Sequence, residues 1–233
     1  MAIRSRRRGG ALRSGPPAPP DVPSSAEAAL LPAGELEPEA TYRLLRFANL
    51  VLPAQVAEAA DFRQCRIRDT DLSDSVLDRS ALTDCVIDHS NLANVRAGRG
   101  SLARVHIARS RLTGWTWLDG LVRDTTFEEC RLDLSGWRFS DFDAVLFRGC
   151  NLAKADFTSA NLTGARFVDC DLSGAVFDRA RMTGTRVENC TLAGIGGVTS
   201  WAGAIVRAQD VIAWSIAFAG GLGVRVEDED EDG

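Results

Sequence analysis

The sequence predicts an all-β solenoid, a four-sided coil of twenty residues per turn, and three observations carry the prediction. Stepping by five from Tyr42 to Leu192 meets an apolar residue at all 31 positions, without an insertion, in a chain that is 45% hydrophobic. Two residues before most of these centres sits a small residue: Ala60, Cys65, Thr70, Ser75, Ser80, Cys85 and Ser90 early, and Ala155, Ala160, Ala165, Cys170, Ala175 and Ala180 late. Centres twenty residues apart are also alike. One column is leucine at every position from Leu52 to Leu192; a second reads Phe47, Ile67, Ile87, Ile107, Phe127, Phe147, Phe167, Val187; a third holds Trp117, Trp137, Phe157 and Phe177. A strict period of five fits neither a helix nor an unbroken strand. It fits a short extended segment that turns two alternate side chains inward and then bends. Gly114, Gly149, Gly164, Gly174, Gly184 and Gly194 fall at or just after that bend.

The stretch "ADFTSANLTGARFVDCDLSGAVF", Ala155 to Phe177, resembles the A(D/N)LXX motif of the pentapeptide-repeat family, in particular the bacterial members with a C-terminal capping helix. The resemblance covers about 150 residues. It implies a right-handed quadrilateral β-helix; handedness does not follow from the periodicity. Residues 40–195 then make about 7.75 coils, a rod of ~37 Å at an inter-strand spacing of ~4.8 Å, with ends that need caps.

The elements follow in chain order. Residues 1–39 are basic and Pro-rich and predict a disordered tail. Arg4, Arg6, Arg7 and Arg8 read as a solvated end, the alternative being a contact with an anionic surface or nucleic acid. Neither a secretory nor a twin-arginine signal is complete, and no apolar run reaches the ~20 residues that span a bilayer. A cytoplasmic protein without membrane contact is expected. After the repeats, residues 196–226 form a cap. An apolar set at Val211, Ile212, Trp214, Ile216 and Phe218, ended by Gly220 and Gly221, predicts a helix over about 207–219 and a short strand over 223–226. The cap would lid the last coil. In gyrase-protecting members of the family this helix forms a dimer interface, so the resemblance extends to a homodimer. Residues 227–233 are an acidic tail.

Cys65 and Cys85 share one small-residue column, and Cys130, Cys150, Cys170 and Cys190 share another. Cysteine suits a buried small slot. A ladder with one thiol per coil cannot converge on a tetrahedral metal, so six free thiols and no metal or cofactor are expected. Nothing looks catalytic: His89 and His106 flank centres without a paired nucleophile, and Glu128 and Glu129 are adjacent and not convergent. The expected protein is not an enzyme.

The family resemblance implies one specific role, DNA mimicry, in which an acidic rod occupies the DNA-binding saddle of a topoisomerase such as gyrase and protects it from quinolones. That requires dense negative charge. From Thr41 to Ile195 there are 20 Arg or Lys and 20 Asp or Glu, a net of zero. The surface instead predicts axial bands. Arg96, Arg99, Arg104, Arg109 and Arg111 make a belt without acids, followed by an acidic belt that includes Glu128 and Glu129. Leu118, Leu121, Phe139 and Leu146 read as outward-facing apolar residues beside it, and Trp115 in a small slot predicts local distortion. The expected function is a non-enzymatic interaction or scaffold module whose flat faces bind a macromolecule, in the first instance a protein, over residues about 96–146. The alternative is the DNA-mimicking, topoisomerase-binding protector. Direct nucleic-acid binding through the Arg belt and tail is not expected.

Overall fold

The computed structural model describes residues 15–29, 31 and 35–225. Its strands are parallel and, within the repeats, pair with a constant offset of twenty: Leu121 with Asp141, Phe127 with Phe147, Phe147 with Phe167. The repeats form four walls. The first carries the centres Tyr42 to Met182, the second Phe47 to Val187, the third the leucines, and the fourth Ala57, Leu77, Ala97, Trp117, Trp137, Phe157 and Phe177. Each centre is buried and lies against its counterpart in the next coil, as Phe127, Phe147 and Phe167 do at centroid separations of 4.8 and 5.0 Å. The ladder runs past the counted repeats at both ends. Glu27–Ala28 pairs with Leu45 and Arg46, and Ile205–Val206 pairs with Arg186 and Val187, giving about nine turns.

The residue two after each centre turns the corner with positive φ. Asp, Asn and Gly are frequent there, as at Asp84 (54°), Asn94 (57°) and Gly174 (67°), because a short polar side chain or none tolerates the left-handed region. At most of the small slots that hold serine, the side chain bonds the preceding coil. The hydroxyl of Ser80 donates to the carbonyl of Ala57 at 2.9 Å, and that of Ser140 to Trp117 at 2.6 Å. The cysteine thiols repeat this bond: Cys85 donates to Phe62 at 3.4 Å, Cys130 to Ile107 at 3.4 Å and Cys150 to Phe127 at 3.5 Å. Cys65, Cys85, Cys130 and Cys150 thus stand in for serine as buried donors between coils, whereas Cys170 and Cys190 donate to Val168 and Glu188 in their own coil; all six thiols are buried and free.

Trp115 is buried without distorting the ladder, contrary to expectation. Thr116, Trp117 and Leu118 keep register with Arg96, Ala97 and Gly98. Trp115 packs against Trp117 and Trp137 at 5.7 and 6.3 Å, and small residues make room for the adjacent Trp117: Ala97 lies one coil before it, and Gly100 and Gly120 occupy the small slots beside its ring.

The N-terminal expectation needs correction. The described residues before 40 are not a disordered tail but a cover: Leu36 is buried over the first coil, its N–H donating to Gln55 Oε1 at 2.7 Å, and the N–H of Glu37 donates to the Tyr42 hydroxyl at 2.7 Å. An open solenoid end exposes apolar centres and unpaired strand edges, so even a polar chain gains by closing it. The Arg4–Arg8 cluster lies outside the described residues.

At the other end α1 (Ala208–Gly221) begins one residue later and ends two residues later than expected. It stops at Gly223 (φ 76°), where Gly223 N–H meets Gly220 O at 2.9 Å and Val224 N–H meets Ala219 O at 2.8 Å, the paired bonds of a left-handed helix C-terminus. Gly221 is helical, and a Cβ there would lie 2.2 Å from Val198 Cγ2, so its role is close approach. The short strand precedes the helix, at Ile205–Val206, and residues 222–225 form none; Val226 and the acidic tail lie outside the described residues. No described helix is long and apolar enough to cross a membrane.

Candidate interaction surface

On the ridge between the fourth and first walls, Arg99, Asp119, Phe139 and Ser159 climb one corner in successive coils. Phe139 projects from it, 58% exposed, with Leu118 on the fourth wall at 38% and Leu121 on the first at 39%. Leu118 lies over Gly136, its Cδ2 3.7 Å from the place a Cβ would take. Leu134, 58% exposed at the opposite corner of the fourth wall, extends the apolar band. It was missed in the sequence, although a leucine at a corner otherwise held by Ala, Gly or polar residues was the available signal. Phe139 holds φ 62°, a conformation unfavourable for a bulky residue, and its ring stays out of the core. Leu146 does not join this patch. It is buried, because the strand register sets it between Thr126 and Arg166, which flank it on the second wall.

The basic belt is partly consumed by the molecule itself. Arg104 grips Asp84 with two bonds of 2.6 Å, and Arg109 reaches Asp88 at 2.6 Å, which also pairs with His89 at 2.9 Å. The Arg104 guanidinium holds the Asp84 carboxyl below its ordinary value of 3.8. The stability this adds is present above that value and is lost as pH falls through the depressed one. Arg96, Arg99 and Arg111 are exposed and form no ion pair with a described residue. Glu128 is half-buried and bonds His106 at 3.2 Å, whereas Glu129 is exposed. The paired arginines of the basic belt thus reach the preceding coil and not the acidic belt, which is met through His106 and Glu128; the exposed charges beside the apolar band include Arg96, Arg99 and Asp119.

The helix divides its apolar residues. Trp214 is buried, its indole N–H donating to Cys190 O at 2.7 Å, and it meets Phe218 edge-on at 6.3 Å. Asp210 accepts from Asn189 N–H at 3.0 Å and ties the first turn to the last coil. Val211, Ile212 and Ile216 face outward at 44%, 80% and 69% exposure. Only part of the predicted set lids the core.

The family profile described as Pentapeptide repeats matches the sequence in eight copies, over residues 59–96, 140–178 and 155–194. The chain is a pentapeptide-repeat protein. Among solved structures this pentapeptide-repeat protein is similar to full-length QnrB1, a plasmid-mediated fluoroquinolone resistance protein. The two share 14% identity with a TM-score of 0.54, and the match covers 82% of this chain and 96% of QnrB1. HetL, a pentapeptide-repeat protein involved in heterocyst differentiation regulation in the cyanobacterium Nostoc sp., matches at 15% identity over 75% of this chain and 92% of its own, with a TM-score of 0.28. No curated protein matches this pentapeptide-repeat protein in sequence.

Proposed function

We propose that this protein is a non-enzymatic interaction module of the cytoplasm that binds a protein partner through the band of Leu118, Leu121, Leu134 and Phe139, with Arg96 and Arg99 at its edge. The observation that carries the reading is Phe139, a 58% exposed aromatic held at positive φ, which serves neither corner nor core. Exposed aromatics on rigid scaffolds make effective anchors, and a solenoid wall holds them without loss of side-chain order on binding. The ladder of buried, free thiols suits a reducing compartment. The outer face of α1, Val211, Ile212 and Ile216, is assigned to self-association.

The fold likeness to QnrB1 favours a second reading, occupancy of a topoisomerase. It concerns shape at 14% identity, while the 20 basic and 20 acidic residues of the repeats lack the charge that imitation of a phosphate backbone needs.

One experiment with two variants tests the first reading: capture from host lysate together with molar mass by light scattering. Phe139→Glu is expected to reduce the captured partner at least tenfold, the effect of losing a central anchor, with molar mass unchanged. Ile212→Glu is expected to retain the partner and lower the mass to the 25.1 kDa of one chain. Partner capture indifferent to Phe139→Glu sinks the assignment of the band, and a wild-type mass of 25.1 kDa sinks self-association.

A further inference from the structure

On the ridge between the first and second walls, Gln64, Asp84, Arg104 and Asp124 occupy one corner in successive coils. Residues 16–23, "PPAPPDVP", run along this ridge. Ala18 N–H donates to Asp124 Oδ1 at 3.1 Å and Asp21 N–H to Asp84 Oδ1 at 3.1 Å. Further along, the Asp21 carbonyl accepts from Gln64 Nε2 at 3.0 Å and the Val22 carbonyl from Arg66 Nη2 at 2.9 Å. All peptide bonds among the described residues are trans.

The spacing is a match of two periods. Asp84 and Asp124 are two coils apart, about 9.6 Å at ~4.8 Å per coil. Ala18 and Asp21 are three residues apart, one turn of a polyproline II helix, about 9.3 Å at ~3.1 Å per residue. The sequence obeys the same rule. From Pro16 to Asp21 the residues with an N–H to donate are Ala18 and Asp21, the third of each triplet; both donate to a carboxylate. Arg104, in the intervening coil, is bonded to Asp84 and lies within the electrostatic reach of Asp21 and Asp124. It balances the carboxylates, and Asp84 Oδ1 accepts from Arg104 Nε and Asp21 N–H together. A polyproline II backbone makes no internal hydrogen bonds, and here the Asp21 and Val22 carbonyls are taken by Gln64 and Arg66.

We propose that this ridge is a binding site for proline-rich chains in the polyproline II conformation, reading one N–H per three residues, with residues 16–23 as its resident ligand. The repeat period of the solenoid sets the register, and a proline-rich segment of another molecule with the same triplets competes for the ridge.

The test keeps the full chain. In the wild type the amides of Ala18 and Asp21 should exchange with deuterium at least tenfold more slowly than those of Ser24 and Ser25; equal rates overturn the proposal. The double variant Ala18→Pro, Asp21→Pro removes both donors and loosens the strap. A fluorescent peptide of residues 15–25 should bind this variant at least tenfold more tightly than the wild type, by anisotropy. Adding Asp84→Ala and Asp124→Ala should abolish the gain. A peptide with Pro17 and Ala18 interchanged, which breaks the triplet, should bind at least tenfold more weakly. Equal binding of both peptides, equal binding to wild type and double variant, or no binding to the double variant at millimolar peptide overturns the proposal.

Discussion

Phe147→Ala is expected to lower the unfolding free energy by about 4 kcal/mol, within the range for emptying a buried phenylalanine site. The ring is fully buried, stacked on Phe127 at 4.8 Å with a 7° interplanar angle and on Phe167 at 5.0 Å with 3°. It also meets Trp137 and Phe157 edge-on, at 6.0 and 6.3 Å. Removing it breaks two stacked pairs and two edge contacts, each worth about 0.5–1.5 kcal/mol beyond area burial. The cavity cannot collapse, because backbone ladders on either side fix the coil spacing. A solenoid's stability is a sum over coils and nearest-neighbour interfaces, so the loss falls in the middle of the stack and should divide one cooperative transition into two. Denaturant titration reads both effects; a single transition shifted by less than about 1 kcal/mol contradicts this account of the core.

Gly120→Ala is expected to cost about 3 kcal/mol, the upper part of the range for overpacking, although it adds one methyl group to a residue of ordinary φ. That methyl would lie 2.4 Å from Trp117 Nε1, 2.5 Å from its Cδ1 and 3.1 Å from Gly100 O. The indole is locked in turn, since a Cβ on Gly100 would meet its Cζ2 at 2.8 Å. The methyl and the ring therefore compete for one space. In a Trp117→Leu background the same substitution should cost less than about 1 kcal/mol, giving a coupling of about 2 kcal/mol in a double-mutant cycle. Additive effects would mean that the glycine serves some purpose other than making room for the ring.

The walls were legible in the sequence because burial and backbone geometry share one period: every fifth residue is a centre, and like residues recur at twenty. The cysteines were legible as small buried residues, while the donation of four of them to the preceding coil's carbonyls needed the position of each thiol. Leu146 misled because a one-coil view counts an outward position as exposed, whereas its neighbours on the same wall are twenty residues away. Arg104 and Arg109 misled for the same reason: their partners Asp84 and Asp88 belong to the preceding coil. The strap was hidden more deeply. Proline and polar residues read as disorder when a segment is judged by its own capacity to bury surface, and the pattern P-P-A-P-P-D has meaning only against a ridge of known spacing. At the C-terminus, the apolar count found the helix but not its division into Trp214 and Phe218 inside and Ile212 and Ile216 outside, which depends on how α1 docks on the last coil.

The proposed function has this solenoid act through shape and a small apolar band, without imitating the charge of DNA. The direct measurement is a supercoiling assay with purified gyrase, with and without a quinolone. Neither inhibition nor protection is expected at micromolar protein; protection of the enzyme from the drug at that concentration would overturn the proposed function.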